Sequence, residues 1–173
     1  MTHYTTIAVD PATHGYGVSC WVGNELTAAL YLRHDRIREF AIQHPCDDLV
    51  IEIPQVYPGM GWAANGLCSL AFAAGEAAGV WDCSQLIKVQ PPIWTLQVPK
   101  DRRIIAIQQN INSSEHGRVE LPSEYLADNV WDAVGLGMWR LDRVCWARGS
   151  KNVDGKSTRT KTKRVAKRKR SAK

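Results

Sequence analysis

The sequence has no long apolar run, no leader-like start and no cysteine spacing of the kind that holds a metal. Its longest apolar stretch, Leu67 to Trp81, is fifteen residues and includes Glu76, too short to cross a bilayer. The first residues, Met1-Thr2-His3-Tyr4, have neither a basic n-region nor an apolar h-region, so no secretory signal is expected. The five cysteines are odd in number, and no two lie closer than fifteen positions, which argues against a disulfide scaffold and against a CxxC zinc site. A cytoplasmic protein with reduced thiols is the expectation, with no membrane partner.

What the chain does have is charge, unevenly distributed. Over 173 residues Lys and Arg number 22 and Asp and Glu 17. Residues 1–150 hold 11 basic and 16 acidic side chains, a net of −5, whereas residues 151–173 hold 11 basic and only Asp154, a net of +10. The length suits one domain with a tail, and at 45% hydrophobic residues there is material for a core. The division expected is a domain over 1–149 and a basic segment over 150–173, disordered when unbound.

Periodicity predicts strands at Tyr4–Val9, Tyr16–Val22 and Leu26–Leu32, the last two joined by a Gly23-Asn24 hairpin turn. A short helix around Ile37, Phe40 and Ala41 is stopped by Pro45. The apolar run Leu49-Val50-Ile51-Glu52-Ile53 reads as a buried central strand. A helix rich in small residues follows over about 63–80, then a strand at Leu86–Val89. Helices over about 101–111 and 123–147 finish the order, with Asp101 and Ser123 as N-caps. Hairpins first and strand–helix alternation afterwards imply an α/β fold, a mixed sheet with helices on its faces.

Four acids stand out against this background. Asp10 closes the first strand before Pro11, and Glu52 lies inside the apolar fourth strand, where a carboxylate needs a partner. Asp128 and Asp132 are four apart on the last helix and share one face. If the first and fourth strands are adjacent, Asp10 and Glu52 become neighbours that the last helix can meet with Asp132. Acids converging without nearby basic residues repel one another, and cations would relieve that repulsion. Oxygen ligands of this kind suit Mg²⁺ or Mn²⁺, and two such ions can hydrolyse a phosphodiester. A plain turn former at Asp10 and a solvated face at Asp128 and Asp132 are the ordinary alternatives.

Three motifs in order carry a resemblance. Ile7-Ala8-Val9-Asp10-Pro11 with Gly15 and Gly17, Val50-Ile51-Glu52 with Gln55-Val56-Tyr57, and Asp132-Ala133-Val134-Gly135-Leu136-Gly137 resemble RuvC-type Holliday junction resolvases, most of all the phage-type members. The likeness covers about residues 4–147. It implies an RNase H-like mixed five-stranded sheet flanked by helices, and two-metal hydrolysis of branched DNA such as a Holliday junction by a homodimer, in a prokaryotic or phage-infected cell. Asp10, Glu52 and Asp132 take the ligand positions. The fourth ligand usually stands three residues before the last Asp, where this chain has Asn129; Asp128 from the same face, or Asn129 through its carbonyl, could serve.

The resemblance also places Tyr57 where relatives carry an aromatic that stacks at an opened junction, although an ordinary surface tyrosine reads the same way. Lys100, Arg102 and Arg103 open the helix that in relatives carries a basic residue near the scissile phosphate. Basic side chains oppose the dipole at a helix N-terminus, so they suggest an external anion; a solvated face is the alternative. The tail needs no family. Lys163, Arg164, Lys167, Arg168, Lys169 and Arg170 form a polyelectrolyte suited to phosphates without sequence preference, or a localisation-like cluster. Beside a junction endonuclease stand two other readings: a nuclease of the same fold cutting flaps or hybrids, and a catalytically inactive nucleic-acid-binding module. A sugar-kinase-like ATPase would need two such domains and far more chain.

Overall fold

In the computed structural model, residues 4–55, 64–144 and 146 are described. The chain enters as three consecutive strands, β1 (Thr5–Ala12), β2 (Gly15–Val22) and β3 (Glu25–Arg33). The turn between β2 and β3 is Gly23-Asn24, with Gly23 at φ 57°, a conformation that costs glycine little. A 3₁₀ turn (His34–Arg36) leads into α1 (Ile37–Gln43), and then come β4 (Cys46–Glu52), α2 (Ala64–Val80) and β5 (Cys83–Val89). Four helices close the order: α3 (Pro91–Thr95), α4 (Lys100–Asn110), α5 (Ser113–His116) and α6 (Glu124–Arg140). Among the described residues no helix is long and apolar enough to cross a membrane.

The strands form one sheet in the order β3-β2-β1-β4-β5. β1–β2 and β2–β3 are antiparallel, whereas β1–β4 and β4–β5 are parallel. This is the mixed five-stranded α/β sheet that the motifs imply. Because side chains alternate across a strand, β1 and β4 supply two cores. Ile7, Val9, Leu49 and Ile51 pack with α1 and α2 on one face. Ala8 and Val50 pack with Val130, Val134 and Leu136 of α6 on the other. Asp10 and Glu52 fall on this second face, in phase with Ala8 and Val50.

α6 lies directly on β2 because two glycines leave it room. A Cβ at Gly17 would stand 1.9 Å from the Asn129 carbonyl oxygen, and one at Gly137 would stand 2.1 Å from the Trp21 indole nitrogen. Ser19 then donates to the Ala133 carbonyl at 2.8 Å, and Trp21 donates to Ser19 at 2.9 Å. At the far end Arg140 donates to the fully buried Asp48 at 2.6 Å, with Tyr4 as a second donor at 2.5 Å. The spans match: eight helical residues from Asp132 to Arg140 cover about 12 Å, and four strand residues from Asp48 to Glu52 cover about 13 Å.

Several boundaries differ from the sequence reading. α4 begins at Lys100, with Pro99 rather than Asp101 at its N-cap. Ser123 does occupy the α6 N-cap, but its side chain makes no capping bond. α6 ends at Arg140, not near residue 147. Asp142 turns left-handed at φ 55°, and Arg143 N–H bonds the Met138 carbonyl at 2.8 Å, a Schellman stop. That stop delivers Arg143 to Glu115, which also accepts from the Leu26 and Asn112 amides at 3.0 Å each. Glu115 sits in a capping box with Asn112, so a single buried carboxylate joins α5, the β2–β3 hairpin and the exit from α6.

Burial works against the Glu115 charge, but Arg143 and the two amides overcome it and hold its pKa at about 2. A carboxylate with a lowered folded pKa stabilises above its ordinary titration range and loses that contribution as pH falls. Glu115→Gln should therefore lower stability at neutral pH by about 3 kcal/mol, the scale for breaking one side of a buried pair. Urea titrations should show the deficit in full above about pH 5 and shrinking towards pH 2.

Candidate metal centre and its cationic clamp

Parallel pairing of β1 with β4 aligns Val9 with Ile51, so Asp10 and Glu52 are the next residues on each strand. Asp10 is 7% exposed and Asp132, facing it from α6, is 8% exposed. Burial first, then the charges of Glu52 and Asp132, push the Asp10 carboxyl well above its ordinary pKa. Glu52 is pushed up to about 7, again by burial first; the Trp94 hydrogen bond opposes this and Asp132 adds to it. The three acids thus share one electrostatic site, and two of them are driven towards the protonated form.

The third acid is held differently. Arg103 donates to Asp132 Oδ1 at 2.7 Å, and the Lys100 ammonium lies 3.0 Å from Asp132 Oδ2 and 3.3 Å from Asp128. The acids therefore do not converge free of basic residues, as the sequence suggested. At the start of α4 the anions that Lys100 and Arg103 meet are the chain's own carboxylates. Burial works against the Lys100 charge, yet Asp132 and Asp128 raise its pKa overall. Arg103 is 6% exposed, so its guanidinium faces Asp132 and not solvent. It also donates to the Val98 carbonyl at 3.2 Å, while its Nε has no partner among the described residues. Arg102 is exposed.

Trp94 connects the two halves of the site and escapes sequence reasoning. Its indole donates to Glu52 at 2.5 Å, and the Arg103 guanidinium lies 4.6 Å from its ring centroid. The signal available was the run Pro91-Pro92-Ile93-Trp94: proline suits a first helical turn, and the turn it starts aims a large donor back at the fourth strand. Between α3 and α4, Leu96 and Gln97 are both left-handed, at φ 53° and 60°. Two successive non-glycine residues in that region store strain, and the bend sets Lys100 and Arg103 towards Asp132.

The structure brings Asp10, Glu52 and Asp132 to one face, with Asp128 at its exposed rim. Asn129 lies on the same turn, its main chain against Gly17. Asp10 and Glu52 offer hard oxygen donors, are short of positive charge, and make no ion pair among the described residues, which fits Mg²⁺ or Mn²⁺ chemically. As the side chains stand, no three acids, histidines or cysteines among the described residues close on one point for an ion. Both Asp132 oxygens already meet cations, Arg103 at Oδ1 and Lys100 at Oδ2. Tyr57 and the tail residues Lys163, Arg164, Lys167, Arg168, Lys169 and Arg170 lie outside the described residues.

No protein-family model and no curated protein matches the chain. Among solved structures it is similar to Thermus thermophilus RuvC in complex with Holliday junction substrate, at 14% identity and a TM-score of 0.47, covering 78% of this chain and 91% of that one. A second Thermus thermophilus RuvC structure is similar at 11% identity and a TM-score of 0.47, covering 78% of this chain and 92% of that one.

Proposed function

We propose that the chain is a divalent-metal-dependent endonuclease for four-way or otherwise branched DNA, similar in type to phage resolvases and working as a homodimer. One observation carries this reading: Asp10, buried, and Glu52, half-buried, end adjacent parallel strands facing Asp132 and make no ion pair among the described residues. Asp10, Glu52 and Asp132 would hold the metal, with Asp128 or Asn129 completing the set. Divalent ions, when bound, would supply an activated water and neutralise the leaving oxygen of a phosphodiester. The chain's own residues set the stage. Trp94 fixes the orientation of Glu52, and the Lys100–Arg103 pair keeps Asp132 neutralised until it is needed as a ligand. Lys100, the more exposed of the two cations, is the one able to follow a phosphate.

The same clamp favours a second reading, an inactive nucleic-acid-binding module in which Lys100 and Arg103 permanently replace the metal. Cleavage of four-way junction, flap, duplex and hybrid substrates with Mg²⁺ separates the two, and the substrate cut fastest identifies the DNA structure. In that assay Asp10→Asn, Glu52→Gln and Asp132→Asn should each lower cleavage by more than about 100-fold, the upper end for losing a mere supporting partner. DNA binding should be retained or tightened. Asp128→Asn should cost more than Asn129→Ala. Trp94→Phe keeps an aromatic ring, though a smaller one, but loses the indole N–H, and should cost roughly 10- to 100-fold. Mg²⁺-dependent activity surviving in Asp10→Asn would remove the proposal.

The raised pKa values give a second test without turnover. A carboxyl whose folded pKa lies above its unfolded value costs stability as pH rises through that interval. Relative to the metal-free wild type, Glu52→Gln should therefore gain stability between about pH 4 and pH 7 and hold that gain above it. Mg²⁺ should raise the wild-type Tm more at about pH 7.5 than at pH 5, because the empty site is most strained when both acids are ionised.

The tail is proposed to supply the non-specific electrostatic part of DNA binding. Removing residues 151–173 takes away ten net positive charges and leaves a body of net −5. Affinity for junction and plain duplex should fall by a similar factor. The slope of log affinity against log salt should flatten by roughly 0.9 for every phosphate that the tail neutralises. Anisotropy titrations across a salt series measure both, and an unchanged slope would mean that the tail does not touch DNA.

A further inference from the structure

A cleft of about 450 Å³ opens beside the carboxylates, between the β1–β2 turn, the end of β3 and the first turn of α6. Its walls carry His14, Tyr31, Arg33, His34, Tyr125 and one carboxylate, Asp35. It is joined to the carboxylate site by strand register. Asp10 pairs with Gly17, and Gly17 pairs with Tyr31, so the three stand in one row across the sheet. Two strand spacings separate Asp10 from Tyr31, about 10 Å.

The wall residues differ in how fully they are occupied. His34 is committed, with Nδ1 on Tyr16 and Glu76 and Nε2 on the Thr13 carbonyl. Among the described residues the Arg33 side chain meets only Asp35, at 3.5 Å, with both side chains largely exposed, a weakly held pair. Tyr125 is 78% exposed and His14 is exposed. The Tyr31 hydroxyl is buried without a hydrogen-bond partner among the described residues, which is costly for such a group. Burial first, then Tyr125 and Asp10, raise its pKa, so it feels both the cleft and the carboxylate site. The cleft therefore offers a loosely held guanidinium, an imidazole, an orphan hydroxyl and an exposed aromatic ring two strand spacings from the site.

We propose that this cleft is a subsite for single-stranded DNA, holding the nucleotide next to the scissile phosphate. Arg33 and His14 take its phosphate, and Tyr125 stacks on its base. The inference rests on the nuclease reading, because that reading puts a DNA strand at Asp10. Stacking on an exposed ring together with cations tracking the backbone is the usual composition of a single-strand site. A small anion alone would leave the Tyr125 ring without a role.

The test uses the full-length chain in the Asp10→Asn background, so that binding is read without cleavage, and a fluorescent four-way junction and a short single strand as probes. Tyr125→Ala should weaken binding to the single strand by roughly 5- to 100-fold, whereas Tyr125→Phe, which keeps the ring, should bind as the parent does. His14→Ala with Arg33→Ala should flatten the salt slope on the single strand by about 0.7 for each phosphate no longer neutralised. Thermal melting should be unchanged for all of these, because the side chains altered are exposed. A base bearing a photoreactive iodine next to the cut position should crosslink to Tyr125. If the parent binds DNA but Tyr125→Ala and the double variant match it, the subsite is wrong and the nuclease reading stands. If the parent binds neither probe, both fall. Binding of inorganic phosphate that the double variant abolishes, with DNA affinity unchanged, would make the cleft an anion site unrelated to the strand and overturn the proposal.

Discussion

The seating of α6 on the sheet is the contact on which the rest depends. A helix can approach a strand this closely only where side chains are missing, and Gly17 and Gly137 supply the gaps. Without them Asn129 and Trp21 would hold the helix away, and Asp132 would not reach the row of acids. Charge then fixes the approach at one end, where Arg140 of α6 meets Asp48 of β4, while at the other end Lys100 and Arg103 tie α6 to α4 through Asp132. Between those ends the packing is apolar, through Ala8, Val50, Val130 and Val134, joined by the Ser19 hydrogen bond to the Ala133 carbonyl. Glycine gaps set the distance and charge sets the position along the strand.

The two ends resemble each other chemically and differ in what surrounds them. Asp48 is fully buried, and Arg140 and Tyr4 both donate to it. Asp132 has two cations but also two acidic neighbours whose ionisation the surroundings oppose. One end is closed. The other has a surplus of acids over the cations that reach them, and this imbalance is what a divalent ion would correct. Lys100 and Arg103 thus define a resting arrangement in which the protein supplies its own counter-charge, and any ion entering has to compete with them for Asp132.

Much of the architecture was legible because it follows from local rules. β-prone stretches bounded by turn signals located β1 to β3, the apolar run around Glu52 located β4, and Gly23-Asn24 located the hairpin. The candidate acids were legible for the same reason, since a charge inside an apolar run is conspicuous in one dimension. The unread parts depend on partners far away in sequence. α5 is only four residues long, yet the Asn112-x-x-Glu115 spacing of a capping box marks it. The end of α6 depends on a left-handed Asp142, which no periodicity signals. The cationic clamp was not legible because a basic helix start looks the same whether its anion is external or on a later helix of the same chain.

The separation of the site along the chain has a consequence for its history within each molecule. Its acids stand at positions 10, 52 and 132, and the residues that support it lie between 94 and 103. During synthesis β1 to β4 can pair while α6 is still unmade, leaving Asp10 and Glu52 on a sheet face that has no cover and no clamp. Pairings closed over such distances form slowly, and an exposed sheet face in the meantime is prone to association with other chains. The arrival of α6 therefore completes the core, hides the face and assembles the site in one event. Until then Asp10 and Glu52 lack Asp132, so the full set of acids exists only in the finished molecule.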